Sequence, residues 1–310
     1  MTSFNKLFGI IYFGSHFLLK RIQLLIVSLF FLGSTYIFGL GTQFLSIPGT
    51  ALELAIGINP VLDGGSFSNP AAPILNKSNP DLFFSHGSWL AGVTGSTIRF
   101  SRGFTYGTGG LQIRYAGLND LEFRTSTPAD NSLENFGAYG VSFGGFYNRV
   151  LGNTRYGMAL QAVSFQIYNE SSNGYAVNFG LIRKFRKNFT FGASLLNVGS
   201  MSLLSKESPS LPVRILGGFS YRFIQKDWEN KIFLSAENSS MVSGMIFRIG
   251  NEFSWKQLVI QMGSQFSQKV SSVSGGFGFR LGIYRFQYGV QVGSQNLGIS
   301  QMLDFSIRLP

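Results

Sequence analysis

Hydrophobic and polar positions alternate with a period of two along most of the chain beyond residue 80. The clearest case covers residues 284–292, where Tyr284, Phe286, Tyr288, Val290 and Val292 alternate with Arg285, Gln287, Gly289 and Gln291. Successive side chains of a strand point to opposite faces, so this segment has one aromatic-aliphatic face and one polar face. Neighbouring segments repeat the pattern. Val273, Phe277, Phe279 and Leu281 oppose Ser272, Ser274 and Arg280, and Leu258, Ile260, Met262 and Phe266 oppose Gln261 and Gln265. Near the C-terminus Leu303, Phe305, Ile307 and Leu309 oppose Asp304, Ser306 and Arg308. The polar rows are mostly Ser, Gln, Gly and Asn, which suits a barrel lumen filled by side chains and water.

The pattern predicts about fourteen strands, an even number as expected of an outer-membrane barrel. They fall near residues 82–88, 91–101, 105–117, 136–148, 154–168, 173–185, 188–199, 211–224, 229–237, 241–253, 255–266, 270–281, 283–293 and 298–309. Turns after even-numbered strands are tight, at Arg102-Gly103, Arg186-Lys187, Ser254-Trp255 and Gly282. The two long connections, residues 118–135 and 199–210, follow odd-numbered strands. Short periplasmic turns and longer outer loops are the rule for such barrels.

Charge divides in the same way. The expected periplasmic turns carry Arg102, Arg149, Arg155, Lys184, Arg186, Lys187, Lys226 and Lys256. The first outer loop carries Asp120, Glu122, Asp130 and Glu134 against Arg124. A basic rim at Lys184, Arg186 and Lys187 is a candidate docking edge for an acidic partner, since such fields steer association. Solvation of turns accounts for the same residues without a partner.

Composition supports a membrane barrel over a soluble domain. Charged residues make up 13% of the chain, against about 25% in soluble domains. The mean hydropathy is +0.17, yet only one apolar run approaches the ~20 residues of a spanning helix. A closed barrel is the other way to satisfy every backbone group in lipid. The net charge of +11 comes from residues scattered singly among strands, not from a clustered basic face of the nucleic-acid-binding kind. With no cysteine, thiolate metal sites and disulfides are excluded.

Ahead of the strands, Lys20 and Arg21 precede the apolar run 22–32 and then small residues, which reads as a signal peptide over residues 1–41. Residues 42–80 are expected to form a small-residue-rich hatch, and 81–310 the barrel. Within the hatch, Pro48 and the Asn69-Pro70-Ala71 turn are structural candidates. Pro70 restricts Asn69 to extended or turn geometry, and the Asn side chain can bond its own backbone.

Candidate chemistry is sparse. His86 is the only histidine after the signal segment, and neighbouring Ser85 must point to the opposite face of the same strand, so the two cannot pair directly. Carboxylates are scattered in loops, so no cofactor, metal site or catalytic group is expected. Arg248, Glu252, Arg280, Arg285, Asp304 and Arg308 fall on inward rows, as a stabilising lumen network or a polar path. A tunnel for hydrophobic molecules should be lined by apolar side chains, and these rows are polar.

Several ordered segments resemble the PorV/PorQ family of FadL-like outer-membrane barrels. They are Phe44-Leu45-Ser46-Ile47-Pro48, Ser68-Asn69-Pro70-Ala71, Leu82-Phe83-Phe84-Ser85-His86 with Trp89-Leu90-Ala91-Gly92, and residues 188–199 followed by Leu211-Pro212-Val213-Arg214. The chain departs from the family at Thr50-Ala51-Leu52-Glu53, and its first Gly-Gly comes only at Gly64-Gly65. The resemblance implies a non-enzymatic component of type IX protein secretion or surface attachment in the outer membrane of a diderm bacterium. Its partners would be membrane lipid, other secretion proteins and secreted cargo, with a monomeric barrel inside a larger complex. The alternative is a FadL-like transporter of hydrophobic small molecules.

Overall fold

The computed structural model describes residues 41–62, 68–73, 79–123, 134–295 and 297–309. The segment before Gly41 expected to be a signal peptide, the Gly64-Gly65 pair, and Arg124 and Asp130 lie outside the described residues, as do the side chains of Asp120, Glu122 and Glu134.

Fourteen antiparallel strands close into a barrel. The first seven are β1 (Asp81–Ser88), β2 (Thr94–Phe104), β3 (Gly107–Phe123), β4 (Glu134–Leu151), β5 (Thr154–Ile167), β6 (Glu170–Lys184) and β7 (Phe189–Met201). The second seven are β8 (Arg214–Ile224), β9 (Trp228–Ser239), β10 (Val242–Trp255), β11 (Leu258–Phe266), β12 (Ser271–Leu281), β13 (Tyr284–Gly293) and β14 (Ile299–Arg308). Each strand pairs with its neighbours in sequence, and β1 closes on β14 from Asp81↔Arg308 to Ser88↔Gln301. Closure leaves no unpaired sheet edge, which lipid would not tolerate.

Each observed strand matches one expected from the alternation, with shifted ends. The first long connection is shorter than the sequence implied. β3 and β4 go on pairing past an irregularity at Leu118/Leu121, as far as Phe123↔Glu134. β8 begins at Arg214, later than expected, because Pro212 has no N–H to give a ladder.

Outward rows are apolar and exposed, as a lipid-facing surface requires. Val273, Phe277, Phe279 and Leu281 of β12 are examples. Aromatic side chains gather at both ends of this band. At the end carrying the tight turns, Trp228 and Trp255 are cross-strand partners. At the loop end Tyr115 stacks on Tyr139. Such girdles mark the two membrane interfaces of a barrel.

Inside the barrel lies the hatch. A 3₁₀ turn at Gln43–Ser46 leads to a short helix α1 (Ala51–Ile56). Thr50 caps α1: its Oγ1 accepts from Glu53 N at 3.0 Å, and Glu53 Oε2 accepts from Gly49 N at 2.8 Å. The Thr-x-x-Glu spacing is that of a capping box, although here the carboxylate reaches the N–H of the residue before the cap. Six residues cannot hold a helix alone in water, so tertiary contacts must. Ala51 and Leu54 pack on Met302, while Leu52 and Ile56 pack in a cluster with Phe233.

The hatch then follows the inner wall around the barrel, and the wall meets it with glycine. Four pairs of inward glycines stand directly opposite each other across strands: Gly276↔Gly289, Gly250↔Gly263, Gly192↔Gly218 and Gly157↔Gly180. A Cβ on Gly263 would stand 2.6 Å from the Ile56 carbonyl oxygen, and one on Gly192 would stand 2.7 Å from Val61 Cγ1. Gly289 faces Ala51, Gly218 faces Asn59, Gly157 faces Pro70 and Ala71, and Gly180 faces Asn69. Each pair is a notch in which hatch backbone approaches wall backbone, a use of glycine that needs no special dihedral.

Two Asn-Pro turns sit in two of the notches. Asn59 Oδ1 accepts from Val61 N at 3.0 Å, and its Nδ2 donates to the Leu234 carbonyl at 3.0 Å. Asn69 Oδ1 accepts from Ala71 N at 2.9 Å, and its Nδ2 donates to the Pro60 carbonyl at 2.7 Å. The second turn thus ties one hatch arm to the other.

Gly180→Val should destabilise the folded barrel by about 2–3 kcal/mol, the cost of overpacking a filled interior. Gly217→Val, on the next strand but one with open space where its Cβ would go, should change stability by less than about 0.5 kcal/mol. Urea unfolding in detergent micelles checks this; equal effects would contradict the notch.

Candidate functional site

Among the described residues, two sizeable cavities lie on opposite sides of the hatch. The larger, about 600 Å³, lies toward the loop end. Its walls are apolar, with Phe44 and Ile47 from the hatch, Trp89 from the β1–β2 connection, and Leu118, Phe165 and Ile246 from the strands. These inward apolar residues lie at the loop ends of their strands, above the hatch. The expectation of polar inward rows therefore needs correction. It holds for much of the mid-lumen and below, where polar side chains bind the hatch between buried apolar ones such as Ile182 and Phe233, and fails above it.

The floor of this cavity is charged. Arg214 forks onto Glu237, with Nε to Oε1 at 2.6 Å and Nη2 to Oε2 at 2.9 Å. Arg248 approaches the same carboxylate, Nη1 to Oε2 at 2.8 Å, and its Nε donates to Gln265 Oε1 at 2.7 Å. All three charged groups are buried. A planar guanidinium fork matches a carboxylate bidentately, which fixes Arg214 in place. The Arg248 side chain also lies against Gly57 just after α1, so the ion triad and the hatch position each other.

The smaller cavity, about 270 Å³, lies on the other side, toward the tight turns. Leu52, Val61 and Leu62 of the hatch form its roof. Lys184 and Lys187 line it together with Arg280 and Arg285, while Glu252 accepts from Lys231 Nζ at 3.2 Å.

The structure separates the inward residues expected from the sequence. Arg248 belongs to the upper floor, and Glu252, Arg280 and Arg285 to the lower cavity. Asp304 lines neither; it is buried against α1, accepting from Ala51 N at 2.8 and 2.9 Å. Arg308 is exposed at the turn end, opposite Asp81. Pro48 is buried in the hatch; Asn69, Pro70 and Ala71 form its docking turn. Of the basic rim, Arg186 is exposed, but Lys184 and Lys187 also face the lower cavity. Arg155 is a correction: it is buried, not part of a solvated turn, and its Nη1 donates to the Ala72 carbonyl at 3.1 Å. Its position on β5 has inward parity, and a hatch carbonyl offers what a solvated turn would not.

His86 points outward and contacts Ser96 Oγ through Nδ1 at 2.9 Å, while Ser85 is buried on the other face. Arg214 and Glu237 were missed from the sequence. Their signal was available in the inward parity of residues 214, 216, 218 and 220 and of 233, 235, 237 and 239, where glycine and serine dilute the alternation. The arrangement is one for binding and occlusion, with an apolar chamber, a charged floor and a basic chamber below.

Glu237→Ala would leave two buried guanidiniums without their shared carboxylate and should cost about 3–5 kcal/mol of stability. The urea midpoint in micelles measures this, and an unchanged midpoint would show that the floor is not an ion-paired unit.

No protein-family model matches the chain, and no curated protein matches its sequence. Its likeness is structural. The toluene transporter TbuX of Ralstonia pickettii superposes with a TM-score of 0.58 at 13% identity, covering 84% of this chain and 98% of that one. The monoaromatic hydrocarbon channel CymD gives 0.59 at 11% identity over 84% and 96%. The toluene transporter TodX of Pseudomonas putida gives 0.57 at 10% identity over 88% and 99%. At these identities the likeness establishes the fold: a FadL-like, fourteen-stranded barrel of the outer-membrane type.

Proposed function

We propose that this protein is an outer-membrane channel for small hydrophobic compounds, which enter the loop-end cavity and pass the hatch when it shifts. The observation that carries this reading is the apolar chamber of about 600 Å³ above a charged floor. Ligand sites are typically ~300–1,000 Å³, mostly apolar, with a few placed polar groups. Structural neighbours described as toluene transporters and a monoaromatic hydrocarbon channel support the same substrate class.

The secretion reading rests on the PorV/PorQ resemblance. The residues that carry it near the N-terminus, Phe44 to Pro48 and Asn69 to Ala71, are hatch-packing and hatch-docking residues here. Their structural work is independent of any secreted cargo, so the channel reading takes precedence.

Trp89 lines the chamber, whereas Trp228 and Trp255 sit outside on the girdle. In a Trp228→Phe, Trp255→Phe background, bromobenzene should quench the remaining indole saturably. Phe165→Glu, which places a charge in the apolar wall, should weaken that binding on the order of tenfold or more. Linear quenching that ignores Phe165 would contradict the reading. In cells, deleting the gene should slow uptake of dilute toluene and leave the surface proteome intact; loss of surface proteins with unchanged uptake would favour secretion instead.

A further inference from the structure

Beneath the hatch the lower cavity is lined by seven basic side chains and one carboxylate, Glu252. Two of the cation pairs stand directly opposite each other across strands: Arg222↔Lys231 and Arg280↔Arg285. Like charges opposed on one face of an antiparallel pair are destabilising. The first pair is relieved within the protein, since Lys231 Nζ lies 3.1 Å from Glu229 and 3.2 Å from Glu252. The second is not. Among the described residues, neither Arg280 nor Arg285 makes an ion pair or a side-chain hydrogen bond. Asp81 stands across from Arg308 on the neighbouring strand pair.

Arg280 is exposed at the turn end and Arg285 is partly buried. Here both arginines have inward parity and line a chamber of about 270 Å³ roofed by hatch residues. A recess lined by one sign of charge with low-dielectric walls concentrates counter-ions. Two guanidinium groups on adjacent strands offer paired N–H donors, the geometry that oxyanions take bidentately.

We propose that this turn-end chamber is a binding site for a phosphate group, held between Arg280 and Arg285 and relieving their repulsion. Lys184 and Lys187 at the chamber's edge add attraction on entry. The site is separate from the apolar chamber above the hatch and does not depend on what that chamber carries. The phosphate belongs to a free anion or to a lipid headgroup, and the two sources are separable.

Thermal unfolding and calorimetric titration of the full barrel in phosphate-free, low-salt micelles test this. Inorganic phosphate and a short-chain phosphatidic acid serve as probes in separate arms. At least one should bind saturably and raise the Tm, as any ligand of the folded state does. Binding of inorganic phosphate identifies a free-anion site, and binding of the lipid alone a headgroup site. Arg280→Gln and Arg285→Gln should each weaken binding about tenfold, while Arg186→Gln, on the exposed rim, should not. Without ligand, Arg280→Gln should be as stable as the parent or more so, because it removes a repulsion, and this separates a binding role from a structural one. Absence of saturable binding by either probe would overturn the proposal. So would binding that survives the Arg280→Gln, Arg285→Gln double variant, or an apo variant less stable than the parent.

Discussion

Close approach between the hatch backbone and the wall backbone is the constraint on which this structure depends. A barrel of fourteen strands is too wide for wall side chains alone to fill, so something must occupy the lumen or leave it open. The hatch fills it by running along the wall, not across the centre, and it can do so only where side chains are missing. Four opposed glycine pairs provide that room in register around the barrel. Because paired strands place directly opposed residues on the same face, one glycine on each strand at the same level opens a notch two strands wide.

Hydrogen bonding follows from the same path. A hatch with only a short helix has many backbone carbonyls that its own structure does not satisfy, and burying them unpaired would be costly. The inward polar rows meet this need. Ser194 donates to Ser68, Ser235 to Ile58 and Ser274 to Ala55, all carbonyls of the hatch, at 2.7, 2.9 and 2.9 Å. Arg114 Nη2 donates to Ile47 at 2.6 Å and Asn148 Nδ2 to Pro73 at 2.7 Å, while Thr42 bonds outward to the Ser210 carbonyl. In a barrel whose outer face meets lipid, the lumen is the interior, and its polar residues serve the backbone they enclose. Above the hatch that demand ends, and the inward rows turn apolar around Phe44 and Phe165.

This division explains what the sequence disclosed. The strands were legible because the outer face imposes a strict period of two, visible even where glycine interrupts the inner row. The hatch was legible as a small-residue segment with Asn-Pro-Ala, but its course was not, since glycine carries no hydropathy signal and the notches exist only after strand pairing. Polar inward rows hide the apolar chamber because the most regular strands, β10 to β14, face α1. The chamber's apolar lining comes largely from the hatch and from the loop ends of β3 to β5, where Leu118, Phe165 and Ile167 alternate less cleanly. Asp304 likewise looked like part of a polar path, and only the fold reveals that its partner is the first N–H of α1.

The docked hatch divides the lumen into an outer and an inner chamber. The chain has no cysteine, so single thiols report cleanly. The direct measurement compares Ile246→Cys in the upper chamber with Thr190→Cys in the lower, in barrels reconstituted in one orientation, using an impermeant thiol reagent on the loop side. A closed hatch gives rapid labelling at position 246 and protection at position 190, reversed when the reagent is placed on the turn side. Equal labelling of both positions from one side would mean that the lumen is continuous and the hatch does not close it.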